Sequence, residues 1–217
     1  MTYDVGMTTT ERAPLTRERI IEAAVALADE HGIDELSMRK LGAELGVEAM
    51  SLYNHVEDKG DIFDGMIDAV FSSIPLPDPD VSWQDAVRQV GAGAMDRLTA
   101  HPWAVMLLHQ RGNFGPGALM FMDHVLAIFS DAGFNDEDTH HAWQMMASHT
   151  MGLAFQQATN PGPTEKDYAN VERLLTDLDL PHVARLAPLL AQCEFDSEYL
   201  FGLEIIIDGL EARLAGR

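Results

Sequence analysis

Ala49, Met50, Ser51, Tyr53 and Asn54 make a short row of small, polar and aromatic side chains. The chemistry open to such a row is the reading of a DNA groove. The carboxamide of Asn54 matches both hydrogen-bonding atoms of an adenine edge, while Ala49 and Met50 offer only apolar contact of the kind a thymine methyl accepts. Ser51, Tyr53, His55 and Lys59 carry groups suited to phosphate oxygens, and Arg39 can fork onto a guanine or a phosphate. Presenting the row requires a helix with its other side buried. Leu41 and Leu45, four apart, put an apolar stripe on a first helix; Gly46 can take the left-handed conformation that ends it. Val47, Leu52 and Val56 then give a second helix its inner side. Two short helices across a tight turn are a helix-turn-helix, and its second member enters a major groove. The competing reading is an ordinary three-helix packing unit.

The elements Arg39-Lys40-Leu41, Leu45-Gly46-Val47-Glu48, Leu52-Tyr53 and His55-Val56, with Lys59 in register, carry a resemblance to a known family. Residues 16–66 resemble the DNA-binding domain of the TetR family of bacterial repressors, especially its tetracycline-repressor branch. That resemblance implies DNA contacts at Ser37, Arg39, Ala49, Met50, Ser51, Tyr53, Asn54, His55 and Lys59, and Lys40 opens the supporting helix beside Arg39. The sequence departs from the tetracycline-repressor branch at Ala49, Met50 and Asn54, so the same operator is not implied. For Tyr53 and His55 a structural role beside the turn is the alternative.

Residues 1–14 show no periodicity and end at Pro14, which reads as a flexible arm from which Arg12, with Arg17 just beyond, reaches the DNA backbone. Thr16 is an N-cap candidate for a helix carrying Ile20, Ala24 and Leu27 inward and stopping at His31 before Gly32. Residues 59–73 predict a fourth helix with Ile62, Met66 and Val70 on one side. Pro75, Pro77 and Pro79 exclude regular helix and mark a linker. The expected organisation is therefore an arm (1–14), a helix-turn-helix domain (15–74) and a second helical domain (75–217).

In that second domain, Ser82 with Asp85 signals a helix reaching about His101, and Pro102 interrupts it. A short helix from Trp103 to Arg111, a glycine-rich bend and a helix ended by Gly133 follow. Asn135 or Asp136 caps a long helix through about Thr159, broken by Pro161-Gly162-Pro163. Residues 164–180 read as helical but loosely held, 181–192 as a short helix limited by Pro188, and 196–215 as a final helix with Leu200, Leu203, Ile207, Leu210 and Leu214 at heptad-like spacing. Phe201, Ile205 and Ile206 widen that stripe beyond what one neighbour covers. No strand pattern competes, so the fold class is all-α. The resemblance implies that the helices around 142–156 and 196–215 form a four-helix interface between two copies, with Ala147, Gly152 and Ala154 permitting close approach. The alternative is that both belong to the core of one chain.

The net charge of −21 over 217 residues opposes DNA binding at first sight, since nonspecific affinity comes from lysines and arginines at phosphates. Residues 1–71 hold 6 Lys+Arg against 15 Asp+Glu, a net of 6 − 15 = −9, but residues 36–60 hold 3 against 4. The groove-facing segment is thus nearly neutral, and binding through few phosphate contacts is expected. The single cysteine, Cys193, excludes an internal disulfide and fits a reducing compartment. No apolar run approaches the ~18–20 residues of a membrane span, and the N-terminus has no signal-peptide pattern, so a soluble cytoplasmic protein is expected.

Met95, Trp103, Met106, Phe114, Phe121, Met122, Trp143, Met146, His149 and Phe155 lie on helices that, by the resemblance, surround a ligand cavity; methionines and aromatics at helical spacing are equally the material of plain core. His101, His109, His124, His140, His141 and His149 raise the question of a metal, because tetracycline binding in the related branch involves a chelated magnesium. Yet His140 and His141 diverge by about 100° on a helix, and no His-x3-His pair with a carboxylate appears, so no metal and no cofactor is expected. No serine elbow, HExxH or CxxC is present, and none of the glycines has phosphate-loop spacing; catalysis is not expected.

The expectation is a homodimeric, ligand-responsive repressor whose reading helices bind a palindromic operator, released by a small apolar or amphipathic effector acting through the helix at 59–73. The alternatives are a helix-turn-helix protein without an effector and a helical metal- or cofactor-binding protein.

Overall fold

The structure, a computed structural model, describes residues 14–112, 114–159, 173–174, 178, 180–190 and 194–216. The expectations for the arm before Pro14, the break at Pro161-Gly162-Pro163, most of 164–180 and Cys193 lie outside these residues. The chain forms two compact units, Met1–Phe63 and Asp64–Arg217.

In the first unit, helix α1 (Arg17–His31) starts where the Thr16 hydroxyl accepts a hydrogen bond from the Arg19 N–H at 3.3 Å. It stops at Gly32, whose φ of 83° only glycine adopts without strain. Its buried stripe is Ile20, Ile21, Ala24 and Ala28, with Leu27 at the margin. A 3-10 turn (Ile33–Glu35) leads to α2 (Met38–Leu45) and α3 (Ala49–Leu52), and α4 (Lys59–Ser72) begins in this unit. Ile20, Leu41, Leu52 and Ile62 are fully buried; each such side chain contributes about 1.5–3 kcal/mol by leaving water.

The second unit holds the rest of α4 with α5 (Trp83–Ala100), α6 (Pro102–Arg111), α7 (Pro116–Asp131), α8 (Asp136–Thr159), α9 (Pro181–Leu190) and α10 (Phe195–Ala215). The described residues contain no strand. Ser82 caps α5 by accepting from the Asp85 N–H at 3.1 Å, and Asn135 caps α8 by accepting from the Asp138 N–H at 2.9 Å. Helix α8 is the hub, packing against α5, α6, α7 and α10. It can be so because Ala142, Met146, Thr150 and Ala154, spaced by four, keep its buried stripe narrow. The units divide within α4, ahead of the prolines, since Ile74 belongs to the second core and Phe71 packs on it.

Polar ties bind α10 to its neighbours. Arg88 on α5 grips Glu204 through two hydrogen bonds of 2.7 Å, and Arg213 donates to the buried Asp138 at 2.6 Å. The buried face of α10 is Tyr199, Leu203, Ile206, Ile207 and Leu210, whereas Leu200, Phe201 and Ile205 are exposed. The heptad-like spacing from Leu200 to Leu214 is thus divided between a packed and an open face. No helix of the described residues is long and apolar enough to cross a membrane.

Candidate functional site

The candidate groove-reading face is built on a close backbone approach. Helix α2 ends in a Schellman turn: Gly46, at φ 64° and ψ 39°, donates its N–H to Ala43, and Val47 donates to Gly42 at 2.8 Å. A Cβ at Gly42 would stand 2.9 Å from the Val47 carbonyl oxygen and 3.1 Å from the Ala49 nitrogen, so α3 can lie this near α2 only because residue 42 is glycine. Reasoning from the sequence singled out Gly46 and missed Gly42; the signal was a second small residue on the stripe side of the first helix.

Leu52 and Val56 point into the core, which turns Met50 outward with 74% exposure, and Tyr53, Asn54 and His55 are exposed. The expected second helix through Val56 is shorter in the structure. After Leu52 the chain turns through Asn54 N–H to Ser51 and His55 N–H to Leu52 hydrogen bonds of 3.3 and 2.9 Å. These i to i+3 bonds satisfy the last carbonyls while Val56 is brought back to the core. Asn54 and His55 therefore project from a turn.

The supporting residues are tethered. Ser37 caps α2 by accepting from the Lys40 N–H at 3.3 Å. The Lys40 ammonium pairs with Glu35, holding that carboxyl below the usual carboxylate range by hydrogen bond and charge. Arg39 is exposed. Lys59, at the start of α4, lies with its Nζ 5.0 Å from the centroid of the Phe63 ring, a cation–π contact that orients the ammonium. Arg17 pairs with Asp61, and Arg12 lies outside the described residues.

The second unit encloses a cavity of about 520 Å³ between α4, α5, α6, α7 and α8, within the usual size range of small-molecule sites. Phe114, Phe121, Met122, Trp143, Met146 and Phe155 line it. Phe71, Phe121 and Trp143 form an aromatic wall, with ring centroids 5.8 and 6.4 Å apart. The structure puts the other candidates elsewhere. Met95 and Trp103 are buried outside the lining, Trp103 against His101, and Met106 is half-buried on α6. His149 stacks on Tyr199, with its Nε2 2.9 Å from the Tyr199 carbonyl. Ala147 and Gly152 face the cavity.

Polar lining comes chiefly from His109 and Gln144, both exposed, and from buried Thr150; among the described residues no Lys, Arg, Asp or Glu lines the cavity. Sequence reasoning missed Gln144 and Thr150 as lining, because a lone polar residue within an apolar helix leaves no periodic signal. His140 and His141 have ring centroids 5.6 Å apart, and His124 meets the Met120 carbonyl. Among the described residues no group of three or more His, Cys, Asp or Glu could hold a metal.

Two carboxylates of α4 hold the end of α6 and the start of α7, beside the lining residues Gly112, Phe114 and Ala118. Asp64 takes a bidentate pair from Arg111 at 2.5 and 2.9 Å, and Asp68 accepts from the N–H groups of Gly117 and Ala118 at 2.6 and 3.1 Å. Gly115 and Gly117 make room, since a Cβ on either would collide with Asp68 or Ser72.

Comparison with known proteins agrees with both halves. Residues 20–66 match the family described as bacterial regulatory proteins, tetR family, and residues 76–214 match the tetracyclin repressor-like C-terminal domain. The chain is 33% identical to the HTH-type transcriptional repressor DrrR1 of Streptomyces coeruleorubidus, over 94% of this chain and 80% of that protein. It is 28% identical to the class D tetracycline repressor of Escherichia coli, over 93% and 92%. Among solved structures it resembles the Streptomyces coelicolor TetR family protein ActR in complex with actinorhodin, with a TM-score of 0.80 at 28% identity over 93% of this chain and 99% of that one. The chain belongs to the TetR family of bacterial regulatory proteins, with the helix-turn-helix in its first unit and the tetracyclin repressor-like helical domain in its second.

Proposed function

We infer that the protein is a ligand-responsive DNA-binding repressor, acting as a homodimer that a small apolar or amphipathic molecule releases from a palindromic operator. The observation that carries the effector is the cavity, about 520 Å³ and walled by aromatics, beneath the α6–α7 bend. A fully packed second unit would have favoured a helix-turn-helix protein without an effector; the open volume favours the ligand-responsive reading. ActR, to which the chain is similar, binds actinorhodin in one of its structures. The exposed Leu200, Phe201 and Ile205 of α10 supply an apolar face for a second copy, and a two-fold protein matches a two-fold operator. The relatives it matches are transcriptional regulators, which supports a non-catalytic, cytoplasmic protein.

The proposed reading residues are Arg39, Lys40, Ala49, Met50 and Asn54 at bases or nearby phosphates, with Ser37, Ser51, Tyr53, His55 and Lys59 on the backbone. Release follows if the effector binds one conformation of the dimer better than the other. Phe114 and Ala118 line the cavity beside the points where Arg111, Gly117 and Ala118 hold α4, and α4 continues to Lys59. A molecule pressing on that bend shifts α4 and thereby the spacing of the two reading heads.

The test is selection of bound DNA fragments at stated salt, repeated with Asn54→Ala and Arg39→Ala. A palindromic consensus that is lost in folded variants supports the reading; no consensus with the wild-type protein removes it. Identical head separations in ligand-bound and free crystals would remove the release mechanism alone.

A further inference from the structure

Inside this cavity one polar feature is built differently from the rest. His109 and Gln144 are exposed and have access to water, whereas Thr150 is buried, with its hydroxyl 3.1 Å from that of Tyr199. Tyr199, 2% exposed, comes from α10 and does not itself line the cavity. Its ring is clamped by His149, stacked at 5.1 Å and 7°, whose Nε2 also meets the Tyr199 carbonyl. Its hydroxyl reaches this point only because residue 91 is glycine, where a Cβ would stand 2.6 Å away. Gly91 and Thr150 both belong to the lining.

Each hydroxyl carries one proton, and the two share a single hydrogen bond. Either can donate, and with Tyr199 as the donor the O–H of Thr150, a lining residue, has no acceptor among the described residues. Leaving a buried donor unmet costs free energy, so a ligand acceptor placed there is favoured. Among the described residues the surrounding wall has no charged side chain to compensate a charged ligand, and burying an unpaired charge is strongly unfavourable.

We propose that the Thr150–Tyr199 hydroxyl pair is the polar anchor of the cavity, selecting an uncharged, ring-bearing effector through a carbonyl-type acceptor. Thr150 meets the ligand, and Tyr199 is a positioning residue that acts through Thr150. The proposal rests on the reading of the cavity as the effector site.

The experiment titrates the full-length protein calorimetrically with matched probes that share a skeleton and differ in one carbonyl, 9-fluorenone against fluorene and xanthone against xanthene. The wild-type protein is expected to prefer each ketone by about tenfold, the scale of one satisfied hydrogen bond. Thr150→Val should bring the preference to about unity and Thr150→Ser should keep it, since only the latter retains the donor. Tyr199→Phe should lower the ketone preference and leave fluorene affinity unchanged, with thermal melting as the check on folding. A preference that survives Thr150→Val, or wild-type protein binding both members of each pair equally, overturns the anchor while leaving the cavity reading intact. Tyr199→Phe weakening ketone and hydrocarbon alike overturns the positioning role. If no probe binds the wild-type protein, the cavity reading fails and the anchor with it.

Discussion

Asp68 on α4 caps a helix that is not its own. Its carboxylate accepts the Gly117 N–H at 2.6 Å and the Ala118 N–H at 3.1 Å, at the start of α7, where Gly115 has no side chain to offer. A carboxylate there also meets the positive end of the helix dipole. Asp68→Ala is expected to cost about 1–2 kcal/mol of stability, the range for loss of a cap, read by urea unfolding. In DNA-release titrations the same variant should need more effector, because the bend no longer holds α4. An unaltered release curve in a folded Asp68→Ala protein would show that α4 takes its signal elsewhere.

Gly42 and Gly46 should fail in different ways. Gly42→Ala drives a Cβ against the Val47 oxygen and Ala49 nitrogen, backbone atoms that cannot swing aside. Overpacking of this kind costs about 1–3 kcal/mol, and it also tilts α3, so operator affinity should fall more than melting temperature implies. Gly46→Ala imposes the left-handed conformation on a side chain, at about 1–2 kcal/mol, with less disturbance of the reading face. Gel-shift and thermal melting on the two variants separate these outcomes.

Asn54 and Lys59 should differ in what they do to salt dependence. Asn54→Ala is expected to lose about 1–3 kcal/mol of discrimination at one base pair without altering the salt slope. Lys59→Ala should weaken all sequences alike and lower the slope of log affinity against log salt by about 0.9, the value for one phosphate contact. With so acidic a chain, a net charge of −21, the wild-type slope itself should be small. Affinities on matched and mismatched duplexes across a salt series give both quantities.

Alkaline pH should expose Tyr199. Burial pushes its phenol above the ordinary value of 10.0, against a smaller opposing effect from the Thr150 hydrogen bond. A group whose pKa is raised in the folded state contributes stability that is complete below its unfolded pKa and lost as pH climbs through the folded one. Stability should therefore fall from about pH 10 upward, and Tyr199→Phe should flatten that fall. On the acid side, Arg88 holds Glu204 below its ordinary carboxylate value of 4.5. The pair's contribution should be present above that pH and disappear as pH drops further, a loss absent from Glu204→Gln. Urea midpoints across pH measure both.

Phe201, 70% exposed, and Ile205 occupy the open face of α10. Phe201→Glu is expected to yield monomers by analytical ultracentrifugation with little loss of monomer secondary structure. A folded variant that remains dimeric would place the two-fold contact on another surface.

Local signals wrote much of this molecule into its sequence. Thr16, Ser82 and Asn135 began helices where their side chains can accept backbone N–H groups, and Gly32 and Gly46 ended them by taking positive φ. Ile62, Met66 and Val70 marked a buried face by spacing alone. Such signals act within a few residues, so the chain carries them whatever it later packs against. The all-helical class and the helix-turn-helix were accordingly legible from the start, and the family resemblance added the expectation of a ligand cavity.

What spacing could not reveal was which member of a stripe faces a void and which faces a neighbour. Met95 and Met146 look alike in sequence, yet the first is core and the second lines the cavity. His149 and Thr150 both meet Tyr199, yet only Thr150 lines the cavity. Asp68 and Gly117, or Thr150 and Tyr199, stand some fifty residues apart and meet only when α4 lies on α7 and α8 on α10. Periodicity says that a side is buried; the identity of the neighbour, and any space left between, comes from packing of distant helices.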